Sequence, residues 1–226
     1  MIEASPETDD TKTLRVTEIF CSIQGESTWA GVPCAFVRLT GCNLRCVWCD
    51  TAYAFDGGKT KTLGEIVDAV SAFGVPFVQI TGGEPLAQPA CPALAELFLA
   101  RGFTVLVETN GSLPINTLSP GVIRIMDLKC PDSGMTEHNE WANLEHLSAD
   151  CDEVKFVIAS RRDYEWSRDV LSRYDLQDRC RAVLFAPVLE RIEAKVLAAW
   201  IIEDKLPVRF QLQLQKLVWP PAQRGV

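Results

Sequence analysis

The distribution of apolar and polar positions predicts strands over residues 14–22 and 35–39, both rich in apolar and β-branched side chains. At Thr62 the period lengthens. Residues 62–73 read as a helix whose first turn offers a capping box from Thr62 and Glu65, and whose end precedes Gly74. Strand and helix then alternate: strand 77–81, helix 90–101 stopped by Gly102, strands 103–109, 122–129 and 154–158, helix 161–174, strand 182–185, helix 190–203 and strand 208–215. That order predicts an α/β fold with a parallel sheet and crossover helices. In the last strand the alternation would set Gln211, Gln213 and Gln215 on one face and Phe210, Leu212 and Leu214 on the other. His138 and His146 fall on a helical stretch and are expected to face solvent. No internal repeat or long linker divides the chain.

Composition narrows the class. With 226 residues, 47% hydrophobic and 23% charged, the chain can bury a substantial core. The expected organisation is a flexible N-terminal segment, residues 1–13, followed by one domain over residues 14–226. The first residues lack the basic start and apolar stretch of a signal peptide, and no later apolar run has the length to cross a bilayer, so a membrane role is not expected. Nine cysteines, an odd number, suit a reducing compartment, and a cytoplasmic location is expected. The net charge of −8, with no concentrated basic patch, opposes binding to nucleic acid.

The densest chemistry lies in Gly41-Cys42-Asn43-Leu44-Arg45-Cys46-Val47-Trp48-Cys49-Asp50. Three soft thiolates on one tight loop suffice for three irons of a 4Fe-4S cube and leave the fourth iron open for chemistry. Two other readings remain at this point: three buried core thiols, or a zinc site closed by a distant cysteine or histidine. The remaining cysteines, Cys21, Cys34, Cys91, Cys130, Cys151 and Cys180, are scattered among apolar stretches and read as core thiols. Further polar motifs follow other strands: Gly82-Gly83-Glu84-Pro85, Glu108-Thr109-Asn110-Gly111 and Asp127-Leu128-Lys129. Taken singly, these could be an ordinary turn or solvated charges. In a parallel α/β sheet, however, the carboxyl ends of the strands share one end of the molecule, so the motifs are expected to converge.

The cysteine loop resembles the signature of the radical S-adenosylmethionine (SAM) superfamily. Two more segments, Ile23-Gln24-Gly25-Glu26-Ser27 and Cys49-Asp50-Thr51-Ala52-Tyr53, resemble the pattern of the 7-carboxy-7-deazaguanine synthase family, as do Asp127-Leu128-Lys129-Cys130-Pro131-Asp132-Ser133-Gly134 and the ending Leu217 to Val226. The likeness spans almost the whole chain. It implies an incomplete, modified TIM-type barrel with parallel strands, the radical SAM core. It also implies conversion of 6-carboxytetrahydropterin to 7-carboxy-7-deazaguanine with loss of ammonia, within 7-deazapurine and queuosine biosynthesis. The implied cofactors are a 4Fe-4S cluster on Cys42, Cys46 and Cys49, SAM, and Mg2+ on Thr51. The implied partners are a small-molecule pterin substrate, a second copy in a homodimer, and an electron donor such as flavodoxin.

By the same resemblance SAM falls to Trp48, Asp50, Gly82, Gly83, Glu84, Glu108, Asn110 and Lys129. Glu84 would take the methionyl ammonium, and the glycines would let backbone approach closely. The substrate falls to Gln24, Gly25, Glu26, Arg38, Thr81 and Gln215. Gln24 and Glu26 match the amide and amino edge of a pterin, and Arg38 can fork onto a carboxylate. A Thr51 hydroxyl supplies one neutral oxygen, so substrate and water would have to complete an octahedron; its plainer reading is a turn hydroxyl capping backbone. Gln215 departs from the family pattern, which places histidine there, and glutamine cannot titrate. The rival readings are a glycyl-radical-enzyme activase, which shares cluster and SAM, and a non-catalytic metal- or cluster-binding module.

Overall fold

A computed structural model describes residues 10–220 and 224–225; the expected flexible segment lies largely outside them, as do residues 221–223 and 226 of the C-terminal motif. Strand β1 (Thr13–Ile23) turns back into β2 (Pro33–Leu39), and β3 (Lys59–Thr62) leads into helix α1 (Leu63–Ser71). Thereafter come β4 (Phe77–Gly82), α2 (Cys91–Ala100), β5 (Thr104–Thr109), β6 (Ile123–Asp127), β7 (Glu153–Ile158), α3 (Arg161–Arg173), α4 (Leu176–Arg179), β8 (Ala182–Pro187), α5 (Ala194–Glu203), β9 (Arg209–Phe210) and α6 (Leu214–Val218). The expected capping box forms: Thr62 accepts from the Glu65 N–H while Glu65 accepts from the Thr62 N–H.

All nine strands join one sheet in the order β3-β1-β2-β4-β5-β6-β7-β8-β9. From β2 onward the pairing is parallel, as the strand–helix alternation predicts, with Arg38 beside Thr81 and Leu39 beside Gly82. The β1 strand runs antiparallel to both β2 and β3. Among the described residues the sheet does not close, because β3 and β9 remain its edges. One apolar cluster packs α1 and α2 on the first strands, through Ile66, Leu94 and Phe98 against Val37, Ile80 and Val107. A second gathers Tyr164, Leu171 and Leu197 against Phe156, Val183 and Phe185.

The gap in the barrel is bridged by the turn between β1 and β2. Leu214 donates its N–H to the Gly25 carbonyl at 2.9 Å, and the Gln211 amide reaches the Ser27 carbonyl at 3.2 Å. On the β7 side, Glu153 accepts from the Thr28 N–H at 3.1 Å and from its hydroxyl.

Several expectations are corrected. The 208–215 strand shrinks to Arg209–Phe210, because the chain leaves the sheet to meet Gly25 and enters α6. The helix expected from residue 190 starts at Ala194, after a turn in which Arg191 and Ile192 bond back to Val188. Cys21 is exposed and Cys151 half-buried, so neither is a core thiol; Cys34, Cys91, Cys130 and Cys180 are buried. His138 and His146 face solvent as expected, but on short 3-10 turns rather than a continuous helix.

Candidate functional site

A cavity of about 500 Å3 opens at the carboxyl ends of the parallel strands. Of the eighteen residues singled out from the sequence, all but Gly25 and Glu84 line it. The convergence expected from topology is therefore observed.

The cysteine loop leaves β2 through Gly41, whose φ of 98° lies in the region glycine tolerates. It is pinned by Gly41 N–H to the Ala54 carbonyl at 2.8 Å and Val47 N–H to the Ser133 carbonyl at 3.1 Å. Leu44 of this loop is buried and lines the cavity. Cys42, Cys46 and Cys49 are free, half-buried and on the cavity wall. Burial pushes the Cys46 and Cys49 thiols up, so a thiolate there is costly until a cation compensates it.

The donor set suits a cluster. Among the described residues no three His, Cys, Asp or Glu side chains are drawn together around a point for a single ion. A cube instead takes one thiolate on each of three irons and needs no such convergence. The cavity wall also carries buried polar atoms without a partner, Asp127 Oδ1, Gln215 Oε1 and Trp219 Nε1, which fits a polar ligand.

The glycines after β4 have a local cause. A Cβ on Gly82, at φ 143°, would sit 2.2 Å from the Leu39 carbonyl oxygen, and one on Gly83 would sit 2.0 Å from that of Gly41. The end of β4 is thus pressed against the root of the cysteine loop, and the Glu84 N–H bonds the Gly41 carbonyl at 2.8 Å. Glu84 itself departs from expectation. Its carboxylate is fully buried and accepts from the Leu86 N–H at 2.9 Å, the Thr109 hydroxyl at 2.8 Å and the Asn110 N–H at 2.7 Å. With those donors it ties β4 to β5 and, unlike the other SAM candidates, does not line the cavity.

Of the remaining SAM candidates, Asn110 donates to Asn43 at 3.0 Å and approaches Cys42 Sγ at 3.7 Å, linking β5 to the cysteine loop. Trp48 is half-buried with the Arg191 guanidinium 5.7 Å from its ring. Desolvation opposes charge on Lys129, but Asp127 at 2.8 Å outweighs it and holds the ammonium well above its usual range. Around Asp50, desolvation likewise works against charge, and Lys216 at 3.0 Å overcomes it to keep the carboxyl below its usual range.

Glu108 turns away from this group and joins the substrate candidates. Gln24 and Gln79 are joined side chain to side chain, Gln79 Nε2 donates to Glu108 at 3.0 Å, and Thr81 adds a hydroxyl at 3.1 Å. Glu26 accepts from Gln213 at 2.8 Å, Gln215 at 3.2 Å and Lys155 at 2.9 Å. Gly25 packs beneath, where a Cβ would overlap the Gln215 amide. Arg38 lines the cavity with its Nε on Glu18 at 2.7 Å, and Tyr53 donates to the same carboxylate at 2.8 Å. Thr51 caps nothing: its hydroxyl donates to Asp50 at 2.9 Å.

Sequence reasoning missed Gln79, Lys155, Tyr53 and Lys216 as wall residues. A signal existed for the first two, since each is a polar residue inside an otherwise apolar strand.

The three cysteines and the strand-end motifs, set in a partly open parallel barrel, define a radical SAM protein, and the Radical SAM superfamily model matches residues 36–126. The chain is 45% identical to the 7-carboxy-7-deazaguanine synthase of Chlorobaculum tepidum, covering 94% of this chain and 97% of that one. It is 40% identical to the synthase of Koribacter versatilis over 94% of this chain and 100% of the other. The chain belongs to the 7-carboxy-7-deazaguanine synthase family. In fold it resembles the crystal structure of QueE from Escherichia coli, at a TM-score of 0.77 and 21% identity, covering 93% of this chain and all of that one.

Proposed function

We propose that the protein contracts the ring of 6-carboxytetrahydropterin to give 7-carboxy-7-deazaguanine and ammonia, within 7-deazapurine and queuosine biosynthesis. The observation that carries this reading is the meeting of the Gln24–Glu26 turn and the three cysteines on one cavity wall, from separate parts of the chain. Cys42, Cys46 and Cys49 would hold a 4Fe-4S cluster, and Trp48, Asp50, Gly82, Gly83, Asn110 and Lys129 would hold SAM. When bound, these groups supply one-electron chemistry that removes a hydrogen atom from the substrate.

The chain's own part is to bind, orient and exclude water. Gln24, Gln79, Glu26 and Glu108 form an amide-and-carboxylate floor suited to the amino and amide edge of a pterin. Arg38 is available to the substrate carboxylate, and the charged Lys129 suits a second carboxylate. Thr51 would hold Mg2+ with the substrate carboxylate and water completing the shell. Gln213, Gln215 and Trp219 wall the C-terminal side. The same reading carries a homodimer, an electron donor such as flavodoxin and a cytoplasmic location. Among the described residues no helix is long and apolar enough to cross a membrane.

Anaerobic incubation of the reconstituted protein with dithionite, SAM, Mg2+ and 6-carboxytetrahydropterin is the test, with product and ammonia expected in equal amounts. SAM cleavage without consumption of the pterin would overturn the substrate and favour an activase. Bound metal without SAM cleavage on reduction would favour a non-catalytic metal- or cluster-binding module.

A further inference from the structure

The inward face of β7 carries Lys155, only 4% exposed, while its neighbours Val154 and Phe156 pack outward on the α3 side. A lysine buried to this degree is sustained only by partners. It has two: Glu26 on the β1–β2 turn at 2.9 Å, and Glu108 on β5. The bridge closes a ring. Glu26 N–H bonds Gln24, Gln24 bonds Gln79, Gln79 bonds Glu108, and Lys155 returns the path to Glu26.

Three other cations of the wall each meet one carboxylate, Arg38 with Glu18, Lys129 with Asp127, and Lys216 with Asp50, while Arg224 lies over the Tyr53 ring. Lys155 alone among these is shared by two carboxylates, which leaves this part of the cavity with one excess negative charge. We propose that Lys155 is a positioning residue that holds Glu26 and Glu108 as a pair of acceptors for a donor-rich ligand edge, of the N–H and NH2 kind carried by an aminopyrimidinone. This deepens the substrate reading above and rests on it for the identity of the ligand.

The physical argument concerns what Lys155 separates. Desolvation opposes its charge, but Glu108 first and then Glu26 outweigh it, so the ammonium is held. Asp127, Lys129 and Asp50 are the other charged groups that act on it or feel it. Without the ammonium, two carboxylates face each other, and like charges disfavour double ionisation. The pair then takes up a proton on acidification, and a protonated carboxyl turns one acceptor into a donor. A side chain that merely filled space would have no such dependence on pH.

The test compares reconstituted wild type, Lys155→Met, Lys155→Arg and Lys155→Met/Glu108→Gln from about pH 8 to about pH 6, reading melting temperature, iron content, kcat and KM. In Lys155→Met the KM for 6-carboxytetrahydropterin is expected to rise roughly ten- to a hundred-fold, with kcat falling less. Its deficit in kcat/KM should deepen about tenfold on acidification. Its melting temperature should rise relative to wild type over the same interval, because a raised carboxyl contributes stability as protons are taken up. Lys155→Arg, which keeps the charge, and the double variant, which has one carboxylate, should lack the pH-dependent part of both effects. A Lys155→Met deficit and melting difference that are flat with pH would overturn the proposal. A wild type inactive on the pterin would instead overturn the substrate reading, and the melting comparison would still decide the bridge. Should Lys155→Met fail to fold, the double variant is expected to fold; failure of both would make Lys155 a packing residue and refute its positioning role.

Discussion

Replacing Gly83 by alanine tests whether the cluster loop is seated by close backbone contact. Gly83 has no positive φ, so an added methyl brings steric pressure without backbone strain. The new Cβ would lie 2.0 Å from the Gly41 carbonyl oxygen, 2.5 Å from its carbon and 2.8 Å from Cys42 Cβ. Ordinary contact begins at 3.4 Å, so the loop root must retreat by about 1.4 Å, and the atoms in the way are backbone. Overpacking of this kind costs about 1–3 kcal/mol, equivalent to a fall in melting temperature of roughly 2–12 °C in a chain of this size. Because Cys42 moves with Gly41, iron retained after reconstitution should fall as well. Thermal melting of the apoprotein and iron per chain after desalting measure the two effects. The control is Gly64→Ala in the first turn of α1, where the nearest atom would be 3.7 Å away and a gain of about 0.5–1 kcal/mol is expected. Unchanged melting and full iron in Gly83→Ala would refute the claim that the β4 end presses on the loop.

Alanine at any one of Cys42, Cys46 or Cys49 should abolish iron retention and SAM cleavage, read by metal analysis and 5'-deoxyadenosine release, whereas Cys91→Ala should cost only about 1 kcal/mol of stability. Thr51→Ala should weaken the stimulation of turnover by Mg2+ while iron content stays full; an unchanged Mg2+ titration would count against the ligand role. Glu26→Gln should lower kcat/KM for the pterin by about ten- to a hundred-fold, equivalent to about 1.5–3 kcal/mol, and wild-type efficiency would show that the pterin edge lies elsewhere. The Tyr53 hydroxyl is pushed up to about 12, by burial and by its bond to Glu18. An unfolded tyrosine titrates near about 10, so the stability this group contributes is full below that pH and is lost as pH rises through the folded value. Urea midpoints of wild type and Tyr53→Phe should therefore converge as pH is raised from about 9.5 to about 11.5, and a constant gap would refute the assignment.

The sequence made the strand–helix alternation legible because β4 to β8 are buried apolar runs punctuated by glycine and caps. It hid β3, whose Lys-Thr-Lys-Thr has no apolar pattern and is held to β1 by backbone pairing. The alternation after Val208 misled for the opposite reason: the pattern was present, but Gly25 offered Leu214 a tertiary partner and drew the chain off the sheet. At the site, the cysteine spacing singled out one loop, and Cys42, Cys46 and Cys49 on it all line the cavity. The orientation of Glu84 could not be read, since the same residue type serves a ligand or three buried donors. Lys155 and Gln79 were readable in principle, because an isolated polar residue in a buried strand requires a partner.

The bridge across the open barrel also bears on how the molecule is made. Glu26 meets Gln213 and Gln215 at sequence separations of 187 and 189 residues. Closing a loop of that length costs about 5 kcal/mol beyond its constant term, which the first contacts must offset before any binding wall exists. A chain emerging from the ribosome can pair β1 with β2 early, yet it cannot complete the Glu26 side of the cavity until the segment carrying Gln213 and Gln215 is released. Premature termination near residue 210 would thus leave the sheet strands and the cysteine loop intact in sequence while removing the residues that finish the pocket.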